Sequence, residues 1–195
     1  MKKIYLSGEG PTELGDWSHE PAHQPTEGAR YSIGVLEALL RRLGVDYRVL
    51  GAIPWKSVKK YQARRRNTEP RPEQETLLRL ELMAEEKGAE VLVFVRDRDK
   101  DQDRENDINE GLTKISKVMV VGGVAIEETE AWILALLGDN KAEKHSRPKE
   151  FLEKTRGIAS TQQKVEEIEK SDLGKIPARS PSLESWLASA REMLL

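Results

Sequence analysis

Apolar residues along the chain form two kinds of pattern, short β-branched runs and longer repeats with helical spacing. The runs predict strands at residues 4–6, 47–53, 91–95 and 118–121. Residues 91–95, V-L-V-F-V, are apolar without interruption, which is typical of a central parallel strand covered on both faces. The run at 118–121 is predicted to be a second buried strand. The pattern therefore predicts a sheet whose middle is fully buried.

Helices are predicted between and after the strands, from apolar residues that recur every three or four positions. They are predicted at residues 29–43, 72–87, 103–115, 127–137, 149–154, 162–170 and 181–194. Gly44, Gly88 and Gly138 follow three of them, as expected for glycine at a helix C-terminus. The helix at 127–137 is predicted to be amphipathic. Residues 15–28, with their prolines and glycines, are predicted to form a long loop.

Strands that alternate with helices predict an α/β domain with a mostly parallel sheet flanked by helices. This domain is predicted to span residues 1–138. The helices of residues 139–195 are predicted to form a C-terminal extension that packs on the flank of the domain.

The composition narrows the class of protein. The chain has 195 residues, with 34 Asp and Glu against 32 Lys and Arg, a net charge of −2 and 37% hydrophobic residues. That balance fits a folded domain and excludes a globally basic nucleic-acid binder, so contact with nucleic acid must come from a local patch. The absence of cysteine excludes disulfides, thiolate metal sites and a cysteine nucleophile. The longest apolar run, 118–126, is too short to span a bilayer, and the N-terminus turns polar too soon for a signal peptide. We therefore expect a soluble cytoplasmic protein without a membrane partner.

Acidic residues follow three of the predicted strands at the point where each strand ends. They are Glu9 and Glu13 after the first strand, Asp97 and Asp99 after the third, and Glu127, Glu128 and Glu130 after the fourth. Because the carboxyl ends of parallel strands meet at one edge of a sheet, we expect these acids to lie together. Carboxylates that are brought together repel, and Mg²⁺ or Mn²⁺, as one ion or two, is the usual solution. The alternative is that they are solvated loop charges or charges that stabilise a helix N-terminus.

Two of these acidic segments resemble motifs of TOPRIM domains. Residues 4–13, I-Y-L-S-G-E-G-P-T-E, resemble the first TOPRIM motif, and residues 93–99, V-F-V-R-D-R-D, resemble the D-x-D motif. E-G-P-T-E at 9–13, E-A-W at 130–132 and S-P-S-L at 180–183 are similar to a stand-alone bacterial TOPRIM-like family of uncharacterised function. That family is related to OLD-type nucleases and often neighbours ATPases in anti-phage loci. The resemblance implies a TOPRIM-like, Rossmann-like fold and a metal-dependent nuclease centre.

The resemblance also implies which acids are functional. The first glutamate of TOPRIM proteins acts as general acid/base or metal ligand, the D-x-D aspartates hold Mg²⁺, and OLD nucleases use an E-x-x-x-E pair across two metals. The implied catalytic residues, which are also implied metal ligands, are Glu9, Glu13, Asp97 and Asp99. Glu130 is implied as a further ligand, with Glu127 three residues before it on the same predicted helical face.

Two features favour a substrate that carries phosphate. Gly8 and Gly10, on either side of Glu9, would let the backbone approach a phosphate group. A basic patch with interleaved Trp55 and Tyr61 could neutralise phosphates and stack a base. Its members are Lys56, Lys59, Lys60, Arg64, Arg65 and Arg66. The patch fits equally well a solvated helix face whose aromatic residues enter the core.

Two other motifs match known metal sites in letters but not in context. Residues 19–23 match H-E-x-x-H, but Pro21 and the flanking glycines exclude the sustained helix that zinc binding needs. Residues 15–28, which contain this motif, stand where the TOPRIM-like family continues directly into a helix, and their histidines could cover the carboxylate site and contact phosphate. Residues 99–110 imitate an EF-hand loop, but Arg104 stands where the turn needs glycine.

Together, the residues and the resemblance predict a Mg²⁺- or Mn²⁺-dependent phosphodiesterase, a nuclease that acts on DNA or RNA in bacterial anti-phage defence or DNA maintenance. The resemblance implies an ATPase encoded nearby as a possible protein partner. The chain has no phosphate-binding P-loop, so if ATP is used another protein must supply its site. The alternative is a non-catalytic, metal- or nucleotide-binding regulatory subunit of such an ATPase, and a toxin-like RNase would share the same site. The sequence leaves self-association open. The nuclease prediction depends on one spatial expectation, that Glu9 lies within ligating reach of Asp97 and Asp99.

Overall fold

A parallel β-sheet forms the centre of the computed structural model, which describes residues 1–26, 28–58 and 72–195. The described strands are β1 (Lys2–Gly8), β2 (Tyr47–Pro54), β3 (Val91–Phe94), β4 (Arg96–Asp97), β5 (Met119–Val121) and β6 (Val124–Ala125). Four of them form one parallel sheet in the order β2-β1-β3-β5, and β4 pairs in parallel with β6. The predicted α/β architecture with a parallel sheet is confirmed.

The helices lie on both sides of this sheet. Those in the described residues are α1 (Pro11–Leu14), α2 (Val35–Arg42), α3 (Pro72–Glu86), α4 (Gln102–Leu112), α5 (Glu130–Leu136), α6 (Pro148–Arg156), α7 (Thr161–Lys170) and α8 (Pro181–Leu194). None of them is long and apolar enough to cross a membrane.

The strand at the middle of the sheet matches its prediction, and its neighbour does not. Every residue of β3 is fully buried, and the strand pairs with β1 on one side and β5 on the other. The strand predicted at 118–121 begins at Met119, which is 37% exposed, because β5 lies at the edge of the described sheet. The prediction of a second fully buried strand is therefore wrong, since an apolar run does not distinguish a central strand from an edge strand.

Two predicted helices begin later than their sequence pattern indicates. The helix expected from residue 29 begins at Val35, because the chain before it is held by the loop: Asp16 N donates to Ser32 O at 2.9 Å, and Ser32 N donates to Asp16 Oδ2 at 2.7 Å. The loop itself contains two short 3₁₀ turns, Gly15–Ser18 and Pro21–His23. The helix expected at 127–137 is α5, whose seven residues are all buried, so the amphipathic prediction is wrong. Helices α6 and α7 cover the side that was expected to face water.

The side chains of the strands alternate between the two faces of the sheet, and each face packs into its own apolar cluster. Ile4 and Val93 belong to the larger cluster, which includes residues of α2 and of α5 to α8. Tyr5 and Phe94 belong to the smaller cluster, with residues of α3 and α4. The indole of Trp186 in α8 donates to the carbonyl oxygen of Phe94 at 3.0 Å, which ties the C-terminal helices to the central strand.

Candidate functional site

The carboxyl ends of β1 and β3 lie side by side, because Ser7 and Phe94 are paired in register. The chain leaves β1 through Glu9 and α1, and it leaves β3 through β4, whose Arg96 and Asp97 continue along β6. The acidic segments therefore start from one edge of the sheet, as parallel strands require.

Glu13 is a buried acid at this edge, with 3% of its surface exposed. Its Oε2 accepts a hydrogen bond from the backbone N–H of Gly10 at 2.9 Å. Gly8 makes room for it, since a Cβ at Gly8 would lie 2.5 Å from the Cβ of Glu13. The sequence interpretation that Gly8 leaves space for phosphate is thus corrected, because Glu13 fills that space. Burial raises the pKa of Glu13 to about 7, and the charge of Glu130 adds to the increase.

Asp97 is a second acid at this edge, half-buried and placed by β4. Its Oδ1 accepts hydrogen bonds from the backbone N–H of Thr129 at 2.9 Å and from the Thr129 hydroxyl at 2.7 Å. Burial raises the pKa of Asp97 to about 8, with further increases from the charges of Glu13 and then Glu130, while the Thr129 bonds act in the opposite direction. Glu13, Asp97 and Glu130, which we call the acid trio, therefore lie close enough to influence one another.

Glu130 completes the acid trio at the first position of α5 and is 4% exposed. Its Oε1 accepts a hydrogen bond from the ammonium of Lys164 at 2.7 Å. Lys164 lies in α7, is 2% exposed and also lies 3.3 Å from the hydroxyl of Thr12. Sequence reasoning missed Lys164, although its spacing was a signal. Lys164 lies four positions before Ile168, which places both side chains on the buried face of α7.

Glu9 has a different partner from the one expected. Its carboxylate forms an ion pair with the guanidinium of Arg96, the residue immediately before Asp97. Asp99 adopts a positive φ of 46°, and its side chain, which is 59% exposed, pairs with Arg104 at 2.7 Å. The D-x-D aspartates thus have separate surroundings, Asp97 half-buried and Asp99 exposed, because the backbone turns at Asp99.

Glu127 and Glu128, which follow β6, also have hydrogen-bond or ion-pair partners. Glu127 forms an ion pair with Arg98, and Glu128 Oε2 accepts from the backbone N–H of Lys149 at 2.8 Å. The prediction that Glu127 shares a helical face with Glu130 is wrong, because α5 begins only at Glu130 and Glu127 has a positive φ of 62°.

Two half-buried arginines border the acids, and we call Arg96 and Arg104 the arginine pair. One oxygen of Glu73 accepts from Arg104 Nε at 3.1 Å and from Arg96 Nη2 at 3.3 Å, and its other oxygen accepts from the indole of Trp55 at 2.7 Å. Arg96 also lies over the Trp55 ring, 5.8 Å from its centroid. Burial lowers the pKa of Arg96 to about 10, and the charge of Arg104 contributes to the decrease. Sequence reasoning did not single out this cationic surface, because Glu73 is distant in the chain from both arginines.

The predicted basic patch lies mostly outside the described residues. Lys56 is exposed in the 3₁₀ turn Trp55–Ser57. The members that lie outside are Lys59, Lys60, Arg64, Arg65 and Arg66, together with Tyr61. Trp55 itself is buried against Phe94, with ring centroids 5.5 Å apart, as the core interpretation of the aromatic residues predicts.

The fit of a metal ion to this site is incomplete. The acid trio offers only oxygen ligands, which is the donor chemistry that Mg²⁺ and Mn²⁺ prefer. As the side chains lie, however, no group of three or more His, Asp or Glu residues in the described part of the chain is arranged to hold a metal ion. Glu130 is turned to Lys164, and Glu9 to Arg96.

Comparison with known proteins adds no relative to this description. No protein-family model, no curated protein and no solved structure matches the chain.

Proposed function

We propose that this chain is a divalent-metal-dependent phosphodiesterase, a TOPRIM-like nuclease that acts on DNA or RNA in anti-phage defence or DNA maintenance. One observation carries the proposal: Glu13, which is buried, and Asp97, which is half-buried, come from two neighbouring strand ends, and the charge of Glu13 helps to raise the pKa of Asp97 beside the arginine pair. Buried carboxylates are costly to ionise, and they are retained where a bound cation or a proton has a task.

Glu13 and Asp97 would hold Mg²⁺ or Mn²⁺, with Glu130 as a third oxygen donor if it leaves Lys164. When bound, such an ion activates water and stabilises negative charge on a phosphoryl group. A bound cation would lower the pKa values of Glu13 and Asp97 and so favour their ionised forms.

The chain's own residues supply the remaining functions of a phosphodiesterase. If Glu13 does not bind the ion, its pKa of about 7 would let its carboxyl group give or take a proton at neutral pH, as a general acid or base does. The arginine pair offers guanidinium groups that bind phosphate oxygens in planar, charge-assisted hydrogen bonds. Arg96 would exchange the carboxylate of Glu9 for a phosphate oxygen when nucleic acid binds.

The direct test is cleavage by the purified chain with Mn²⁺, using duplex DNA, single-stranded DNA and RNA as separate substrates. We expect EDTA to abolish cleavage and Asp97→Asn to reduce its rate by about 100-fold or more. Asn keeps an oxygen for the two Thr129 donors, so the fold should persist. Asp46→Asn is the matched control, because Asp46 is exposed and pairs with the N-terminal amine. Cleavage at the unaltered rate in Asp97→Asn would reject the proposal, and cleavage of RNA alone would identify a toxin-like RNase.

A second function is favoured by the ion pair between Lys164 and Glu130, which occupies one of the acids that a catalytic metal centre would use. The chain would then be a non-catalytic metal- or nucleotide-binding subunit of an ATPase. Binding of Mn²⁺ or of nucleic acid without cleavage of any of the three substrates would favour this function over the first.

A further inference from the structure

A groove with a volume of about 390 Å³ lies beside the candidate site, and we call it the α6 groove. It is bounded by the loop that contains Asp99, by the loop that contains Glu127, and by the first turn of α6 with Lys149. The two loops are joined, because the backbone N–H of Asp99 donates to the carbonyl oxygen of Glu127 at 2.9 Å. Since Asp97 lies only two residues before Asp99, the groove adjoins the acid trio.

Each of the four acids that line the α6 groove already has a cation or a hydrogen-bond donor as a partner. The pairs are Asp99 with Arg104, Glu127 with Arg98, Glu128 with the backbone N–H of Lys149, and Glu150 with Arg147 and Lys154. A paired carboxylate repels an anion less than a free one does, because the charge of its partner offsets its own. The acids of the groove are therefore a weak obstacle to a negatively charged ligand.

Two cations that line the α6 groove are not matched in this way. The side chains of Lys100 and Lys149 are exposed, and their ammonium groups form no hydrogen bond or ion pair with any residue of the ranges 1–26, 28–58 and 72–195. Arg147 adds a guanidinium whose contact with Glu150 is exposed on both sides, and exposed ion pairs of this kind are weak and easily exchanged. The groove thus offers three cationic groups to phosphate oxygens.

We propose that the α6 groove binds the sugar-phosphate backbone of one nucleic-acid strand, next to the phosphodiester bond that is cleaved, through Lys100, Arg147 and Lys149. The inference rests on the proposed nuclease function and adds a substrate-binding surface to it. Cations from two separate segments of the chain, in a groove that adjoins the acid trio, fit a row of phosphates better than one small anion. Contacts from ammonium groups to phosphates do not read bases, so binding by this surface is independent of sequence.

The test measures binding of the full chain to a labelled DNA duplex by fluorescence anisotropy in EDTA, where no metal-dependent cleavage occurs. Lys100→Gln combined with Lys149→Gln should reduce the slope of log affinity against log salt concentration by about 1.8, since each lost phosphate contact removes about 0.9. Between about 50 and 200 mM salt, the affinity of this variant should fall about twelvefold less than that of the unaltered chain.

Lys117→Gln combined with Lys170→Gln is the matched control, because it removes the same charge from the chain. Both lysines are exposed, each pairs with an acid, and neither lines the α6 groove. This control should leave the salt slope unchanged. Thermal unfolding of both double variants should match that of the unaltered chain, since all four positions are exposed.

The outcomes separate failure of the inference from failure of the proposed function. An unchanged slope in Lys100→Gln with Lys149→Gln, or an equal decrease in both double variants, overturns the inference and leaves the nuclease function intact. A reduced slope without cleavage when Mn²⁺ is added rejects the nuclease function and supports the groove as a nucleic-acid surface. An unaltered chain that binds neither duplex DNA, single-stranded DNA nor RNA overturns both.

Discussion

Glu9 and Arg96 form an ion pair where β1 and β3 end, so the first glutamate of the E-G-P-T-E motif contacts the neighbour of Asp97 and not a shared metal position. Arg96 is held on its other side by Glu73 and lies over Trp55. The negative charge of Glu9 therefore orients a guanidinium and competes with any phosphate that the guanidinium could bind.

Replacing Glu9 by Gln should release Arg96 for phosphate. We expect Glu9→Gln to tighten binding of a short DNA duplex by about threefold, the effect of losing an ion pair worth about 0.6 kcal/mol. Mn²⁺ affinity should stay within about threefold of that of the unaltered chain. Fluorescence anisotropy with labelled DNA and calorimetry with MnCl₂ measure the two effects. A large drop in Mn²⁺ affinity would instead make Glu9 a metal ligand, the role that its motif implies.

The stability of the metal-free chain should fall as pH rises. Burial raises the pKa of Asp97 from 3.8 to about 8 and that of Glu13 from 4.5 to about 7. Between pH 5 and pH 7 the folded chain therefore holds protons that the unfolded chain has released. Their stabilising effect is complete below pH 3.8 and is lost as pH rises toward 8, by about 1.4 kcal/mol per pH unit for each fully protonated group.

Urea unfolding at pH 5, 6 and 7 in EDTA measures this dependence. Asp97→Asn should have a clearly shallower decline in the free energy of unfolding than the unaltered chain, because one titrating group is removed. Mn²⁺ should stabilise the unaltered chain more at pH 8 than at pH 6, since the metal competes with protons. Equal declines in both chains would contradict the assignment of Asp97 as a buried, protonated acid.

Gly8 should tolerate no side chain, whereas Gly10 should. A Cβ at Gly8 would lie 2.5 Å from the Cβ of Glu13, and a Cβ at Gly10 would meet no atom within 4 Å. We expect Gly8→Ala to lower the free energy of unfolding by about 1–3 kcal/mol, as overpacking does, and Gly10→Ala to change it by less than about 0.5 kcal/mol. Thermal unfolding of the two variants provides the comparison. Equal stability would show that Glu13 is not packed against the end of β1.

The arginine pair should account for part of the salt dependence of nucleic-acid binding. Each guanidinium that contacts a phosphate of B-DNA contributes about 0.9 to the slope of log affinity against log salt concentration. We expect Arg96→Gln combined with Arg104→Gln to reduce that slope by about 1.8. Lys154→Gln, at an exposed position of α6, is the control and should leave the slope unchanged. An unchanged slope in the double variant would place the phosphate contacts elsewhere.

The sheet could be predicted from the sequence because its signals are local. Uninterrupted apolar residues identify β3, and alternation with helices indicates parallel pairing. The features of the fold that the sequence pattern did not predict depend on contacts between distant segments. The bond between Asp16 and Ser32 keeps the chain extended before Val35, and α6 and α7 bury a helix that was expected to face water.

The candidate site shows the same difference between features with local signals and features that depend on distant contacts. Parallel strand order alone predicts that the acidic segments start at one edge of the sheet. The partner of each acid depends on side-chain geometry, which the sequence does not encode locally. The positive φ of Asp99 separates it from Asp97, and Glu9 pairs with Arg96, a partner that the motif does not indicate. Lys164 could be placed on the buried face of α7 by its spacing, but its contact with Glu130 spans 34 residues and could not.

The contact between Lys164 and Thr12 joins groups 152 residues apart in the chain. During synthesis on the ribosome, Glu13, Asp97 and Glu130 all emerge before the lysine that neutralises one of them. The ammonium is in place only when α7 is docked against α2 and α5. A partly translated chain that ends before Lys164 therefore lacks the ion pair that neutralises Glu130.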